Sequence, residues 1–158
     1  MSLPPFERVV AEHGAVVLRV CRAVLRPQDA EDAWSETFLA ALAAYPRLRP
    51  DSDVRAWLVT IAHRKAIDGW RSARRTVPVE SPPEVAVPAS EPSDGVLLDA
   101  VRALPPKQRA AVAYRYLADL SYADVARLLG GSEAAARRNA ADGIAALRRS
   151  PSLQEAPL

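Results

Sequence analysis

Apolar residues recur along this chain at intervals of three and four, as in helices laid against a core. Phe6, Val9, Val10, His13, Val17, Val20, Cys21 and Val24 form the first series and predict a helix over about residues 5–26, with Pro27 ending it. Asp29 is the expected cap of a second helix. Glu31 and Asp32 fall in its first turn, and Ala33, Thr37, Phe38, Ala41, Leu42 and Tyr45 form its apolar face. Asp32 and Glu36 sit four apart, on its exposed side. Pro46 and Pro50 bracket a loop whose Asp53 can cap a third helix running to about Arg75. Trp57, Leu58, Ile61 and Ala62 point inward near its start.

The periodicity then stops. Residues 76–93 are proline-rich, with three acids and no basic side chain, and read as a flexible linker. Periodic segments resume near Asp94 with LLDAVRAL, a stop at Pro105-Pro106, and KQRAAVAYRYLA. The final pair of helices is the most explicit. Ser121-x-x-Asp124 opens one, Val125, Leu128 and Leu129 form its stripe, and Gly130-Gly131 supplies the positive φ that closes it. Ser132 then caps another, in which Ala136, Ala140, Ile144 and Leu147 share a face and Arg137 and Arg138 point off it. Two helices joined by a short glycine turn form a helix-turn-helix; an ordinary αα-hairpin in a core has the same pattern. The predicted class is all-α: two small helical domains, residues 1–75 and 94–150, with linker 76–93 between them and a frayed tail at 151–158.

Composition narrows the chemistry. The chain has 158 residues, 49% of them apolar, and a net charge of +2. The charge is segregated: residues 1–75 carry 12 basic and 9 acidic side chains, and residues 94–158 carry nine and seven. Arg64, Lys65, Arg71, Arg74 and Arg75 load the end of the third helix, with Trp70 among them. Basic side chains around an aromatic suit a phosphate backbone and unstacked bases; cations are also simply favourable at a helix C-terminus. The lone Cys21 excludes an internal disulfide and falls on a buried stripe. His13 reads as a packed histidine, without metal-ligand spacing to other His or Cys. No apolar run approaches the ~18 residues of a membrane span, and no signal peptide is visible, so a soluble cytoplasmic protein is expected. Neither a nucleophile–base arrangement, a metal cluster nor a glycine-rich phosphate loop is present, so no catalytic residue, cofactor, metal or small-molecule substrate is expected.

Taken together, DAEDAWSETFLAAL, VRAWLVTIAHRKAIDGWRSARR, the proline-rich linker and LPPKQRAAVAYRYLADLSYADVARLLG resemble an extracytoplasmic-function (group IV) sigma factor of bacterial RNA polymerase. The resemblance covers about residues 6–75 and 96–149. It implies that the first domain binds the β′ clamp helices of core polymerase through Asp32, Glu36 and Phe38. It implies that the same domain opens and reads the −10 element through the 46–53 loop and third helix: Arg49, Asp51, Arg64, Lys65, Trp70, Arg71, Arg74 and Arg75. The second domain would touch the β flap and read the −35 element through Ser132, Glu133, Ala134, Arg137 and Arg138. Promoter DNA and core polymerase are the implied partners, with an anti-sigma factor as a further one. Ser35 stands where the family commonly has glutamine, Arg64 where it has asparagine, and Ala135 to Asn139 where it usually carries Thr-Val-Lys-Ser-Arg; Asp142 replaces a common basic residue. The competing function is a helix-turn-helix regulator that binds duplex DNA without polymerase, which leaves Asp29–Arg75 unexplained.

Overall fold

The computed structural model describes residues 3–73 and 94–154, with the side chains of 68–73 and of Asp94 outside the description. The described residues are helical, with no strand among them. In the first half α1 (Phe6–Val24), α2 (Pro27–Ala44) and α3 (Val54–Ala73) pack pairwise into a three-helix bundle. Its core contains Val17, Leu18, Cys21, Trp34, Phe38 and Leu58, each 2% exposed or less. Trp34 shows how α1 and α2 fit. Trp34 Nε1 donates to the carbonyl of buried Gly14 at 2.9 Å. The ring's apolar area is thereby removed from water without stranding its one donor. Burial raises the Cys21 thiol pKa to about 12, so this sulfur is a packing group, as its stripe position implied.

Two boundaries differ from the sequence reading. Pro27 begins α2 at its first-turn position, where a missing N–H costs nothing, instead of merely ending α1. The residue before it, Arg26, stands at the cap position, while Asp29 lies in the first turn and pairs with Arg26 Nε at 2.9 Å. The third helix starts as expected, with the Ala56 N–H donating to Asp53 Oδ1 at 3.1 Å. Arg74, Arg75 and residues 76–93 lie outside the described residues.

In the second half α4 (Asp94–Arg102) and α5 (Pro106–Val112) precede a π-helical turn over Ala113–Leu117, followed by α6 (Tyr122–Leu129) and α7 (Glu133–Arg148). α7 lies along α5 and α6. That approach depends on Gly143: a Cβ there would stand 2.5 Å from Val112 Cγ2. Pro151–Gln154, expected as frayed tail, forms a short α8 against α4 and α7, with Leu153 packed on the core.

The two helical domains expected from the sequence are packed against each other. Val20, Ala23 and Val59 from the first half join the core built by Leu98, Val101, Tyr114, Val125 and their neighbours. Arg102 Nη2 and Nε donate to the Arg22 carbonyl at 2.6 and 3.1 Å, and Arg109 Nη1 donates to the Val24 carbonyl at 3.3 Å. His63 Nδ1 and the Tyr114 hydroxyl lie 2.5 Å apart across the same seam.

Candidate nucleic-acid and polymerase interface

On α2, four acids divide into two pairs of different status. Asp29 is engaged by Arg26, and Glu31 by Arg22 Nη2 at 3.4 Å. Asp32 and Glu36 are exposed and make no ion pair among the described residues. Two like charges four apart on a helix cost about 0.2–0.5 kcal/mol, so they do nothing for the helix itself. They present an unneutralised acidic face. Phe38, grouped with them by the resemblance, is 2% exposed and sits 4.8 Å from the Trp34 ring and 6.4 Å from Phe6, centroid to centroid. Its side chain supports α2 from beneath and offers no surface to a partner.

The loop after α2 is anchored at its base. The Tyr45 ring packs tilted against Phe6 and Trp57, 5.2 and 6.3 Å between centroids, and its hydroxyl donates to the Pro4 carbonyl. Arg49 and Asp51 project from the loop and are exposed. Arg64 is exposed on α3 and Lys65 half-buried, while Trp70 and Arg71 lie on the helix with side chains outside the description. Leu42 and Ile67 are the large apolar residues left exposed in this half among the described residues.

The helix-turn-helix has the expected caps. The Ser121 hydroxyl accepts from the Asp124 N–H at 3.1 Å, and the Ser132 hydroxyl from the Ala135 N–H at 3.0 Å. Of the two glycines, Gly130 takes the left-handed conformation, φ 76°, and closes α6; Gly131 does not share it. Ser132, Glu133, Ala134, Arg137 and Arg138 are all exposed along the front of α7, with Ala136 and Ala140 buried behind them. The two arginines are not equivalent. The Arg137 guanidinium lies over the Tyr122 ring, 4.5 Å from its centroid, and Arg115 lies 4.9 Å from the same ring. An Arg138–Asp142 ion pair, which the four-residue spacing allows, is not formed among the described residues.

Sequence reasoning missed the seam. The His63 ring contacts Tyr114 and the Leu128 backbone. Burial, and secondarily Arg64, lower its pKa, partly opposed by the Leu128 hydrogen bond. No group of acids, histidines and cysteine able to hold a metal occurs among the described residues.

Two family models match this layout: Sigma-70 region 2 over residues 9–76 and Sigma-70, region 4 over residues 94–147. The chain belongs to the sigma-70 family. Its relatives place it in the extracytoplasmic-function branch. It is 33% identical to the RNA polymerase sigma factor CarQ of Myxococcus xanthus over 151 residues, 90% of this chain and 87% of that protein. It is 41% identical over 118 residues to the ECF RNA polymerase sigma factor BldN of Streptomyces coelicolor, covering 67% of this chain and 44% of that protein. Among solved structures, the sigma factor RpoE in complex with the anti-sigma factor NepR from Bartonella quintana has the same fold. Its TM-score is 0.75 at 20% identity, covering 98% of this chain and all of that one. No described helix of this sigma factor is long and apolar enough to cross a membrane.

Proposed function

We propose that this sigma factor works as a dissociable specificity subunit of bacterial RNA polymerase: it binds core enzyme, directs it to promoters and assists DNA melting and initiation. The carrying observation is the co-occurrence, in one chain, of an unneutralised acidic face on α2 and a capped, arginine-bearing α7, each inside its own sigma-70 match. Asp32 and Glu36 dock on a basic surface of the β′ clamp helices. Phe38 contributes by holding α2 in shape. Arg49, Asp51, Arg64 and Lys65, with Trp70, Arg71, Arg74 and Arg75 further along the chain, contact the −10 strand, the cations on phosphates and the loop around an unstacked base.

The second half touches the β flap and reads the −35 element. At the front of α7, Ser132, Glu133 and Ala134 bring backbone N–H groups to a phosphate. Arg137 and Arg138 divide base reading and backbone holding. Residues 1–75 and 94–150 act as the two functional units, with 76–93 spanning the distance between the elements. The site of action is the cytoplasm, where core polymerase and promoters meet, and an anti-sigma factor is a further partner of the same surfaces. Nothing in this scheme needs a catalytic residue or cofactor from this chain.

The test is reconstitution. The chain is mixed with bacterial core polymerase without DNA, and complex formation is measured by size-exclusion chromatography. Transcription is then assayed on a genomic fragment library. Expected are a stable complex and transcripts from a discrete set of start sites. A chain that binds duplex DNA but ignores core polymerase is a free-standing regulator, and the proposal fails.

A further inference from the structure

We propose that Tyr122 is a positioning residue for Arg137: its ring holds the guanidinium as a pre-oriented fork in front of α7 and so sets sequence selectivity in the second domain. This rests on the reading that α7 presents Arg137 to duplex DNA.

The ring is itself fixed. Tyr122 is the first residue of α6, half-buried, and packs against the core of the second half. Arg115 stands 4.9 Å from its centroid. Arg115 is held in turn: its Nη1 donates to the Leu120 carbonyl at 3.0 Å and lies 3.9 Å from Asp119 Oδ1. Onto this platform Arg137, exposed on the next helix, lays its guanidinium 4.5 Å from the centroid. Arg138, one residue on, has neither an aromatic ring nor an acid as partner among the described residues.

The geometry matters because of what stacking leaves free. A guanidinium is attracted to a ring through its face, and its five N–H donors lie in its own plane. A stacked arginine therefore keeps the two-pronged edge that pairs with guanine O6 and N7. An unsupported arginine must give up rotamer freedom when it meets a base; one already held on a ring has lost part of it beforehand. Arg137 is thus the prepared reader. Arg138, free to follow a phosphate, is the positional contact. Tyr122 touches no base and acts through Arg137.

The experiment uses the full chain assembled with core polymerase and a library of promoter-length duplexes randomised over the −35 and −10 windows. Bound DNA is sequenced at several salt concentrations. Arg137→Ala is expected to flatten the preference at one base pair by about five- to a hundredfold. Tyr122→Leu, which keeps an apolar side chain but removes the ring, is expected to reduce the preference at that same base pair by about two- to fivefold. It should leave the other positions and the salt slope unchanged. Tyr122→Phe is expected to retain the preference. The double variant Tyr122→Leu, Arg137→Ala should be no less selective than Arg137→Ala alone, since the ring acts through the arginine. Losses that add in the double variant, or equal weakening at every position, make Tyr122 a packing residue and overturn the inference. Sharper selectivity in Tyr122→Leu overturns it too, because the ring would then be withholding Arg137. An unchanged profile in Arg137→Ala removes the DNA-reading assignment beneath it, an outcome separate from failure of Tyr122 alone.

Discussion

Arg102 donates from Nε to the carbonyl of Leu25 at 2.9 Å, across 77 positions of sequence. Leu25 follows the last residue of α1, where backbone carbonyls have no partner within the helix. Arg102 and Arg109 supply those partners from the other half of the molecule, at Arg22, Val24 and Leu25. Two cations at a helix C-terminus also meet the negative end of its dipole. Arg102→Ala is expected to destabilise the protein by about 2–3 kcal/mol, the scale of hydrogen bonds to a charged group, and to expand it. Urea unfolding and small-angle scattering measure the two effects. A variant as stable and compact as the parent would show that the apolar seam alone holds the halves together.

His63 gives the seam a pH dependence. Its folded-state pKa is lowered from 6.5, first by burial and then by Arg64, against the opposing Leu128 hydrogen bond. The ring's Nδ1 is hydrogen-bonded to the Tyr114 hydroxyl, whose own pKa is raised by burial. A depressed pKa means that the opened state binds the proton first. The stabilisation is therefore present above about pH 6.5 and is lost as pH falls below it. His13 shifts in the same direction, again mainly through burial, and adds to the effect. Denaturant midpoints measured from pH 7.5 down to 5 should fall steadily, and His63→Gln should flatten the curve in part. An equal slope in that variant would assign the whole effect to His13 or to the acids.

Most of this was legible where a local rule decides the outcome. Ser121, Ser132 and Asp53 cap the helices the sequence pattern assigned to them, because a cap is settled within four residues. The apolar stripes of α1, α3 and α7 face the core as read, with Val9, Val17, Leu58, Ala136 and Ala140 buried and Phe6, Val10, Trp57, Ile61 and Ile144 partly buried beside them. Asp29 failed as a cap because Pro27 could start the helix two residues earlier. Phe38 matched a family segment, and sequence position alone cannot distinguish an exposed residue from one that supports its helix from beneath. The seam was invisible for a different reason. Val20, Val59, Arg102 and Tyr114 each satisfy a bland reading within their own helix, and only their long-range pairing reveals the joint core. Tyr122, fifteen residues before Arg137, distinguishes the two arginines, a contact that no local spacing rule reaches.

Gly143 was one more residue whose role the pattern hid. α7 can lie on α5 only because this position lacks a side chain. An alanine Cβ would stand 2.5 Å from Val112 Cγ2, 3.4 Å from the Gln108 carbonyl oxygen and 3.5 Å from Leu104 Cδ1. Alanine gains helix propensity of up to ~1 kcal/mol over glycine, but the overlap costs about 1–3 kcal/mol and should prevail. Gly143→Ala is expected to lower the melting temperature measured by circular dichroism. Pairing it with Val112→Ala should recover part of the loss. If Gly143→Ala were more stable than the parent, the helices would be able to part at little cost.

The acidic face of α2 carries the final prediction. Asp32 and Glu36 are exposed and without ion-pair partners among the described residues, so reversing them should leave the fold alone; surface changes of this kind usually fall within about 0.5 kcal/mol. Their value lies in what they meet. On the proposed docking, Asp32→Arg with Glu36→Arg would turn two attractive contacts with a basic clamp surface into two repulsive ones, and like-charge juxtaposition at an interface costs several kcal/mol. Affinity for core polymerase should fall at least about tenfold, with the helical spectrum and urea midpoint unchanged. The weakening should be greatest at low salt, where charges act over longer distances, and should shrink as salt rises. Glu31→Arg is the contrasting variant: Glu31 is already engaged by Arg22, so its loss should affect stability more than binding. Unchanged core affinity in the Asp32, Glu36 double variant would move the docking surface elsewhere on the first bundle. Equal weakening at all salt concentrations would mean that the reversal acts through the shape of α2.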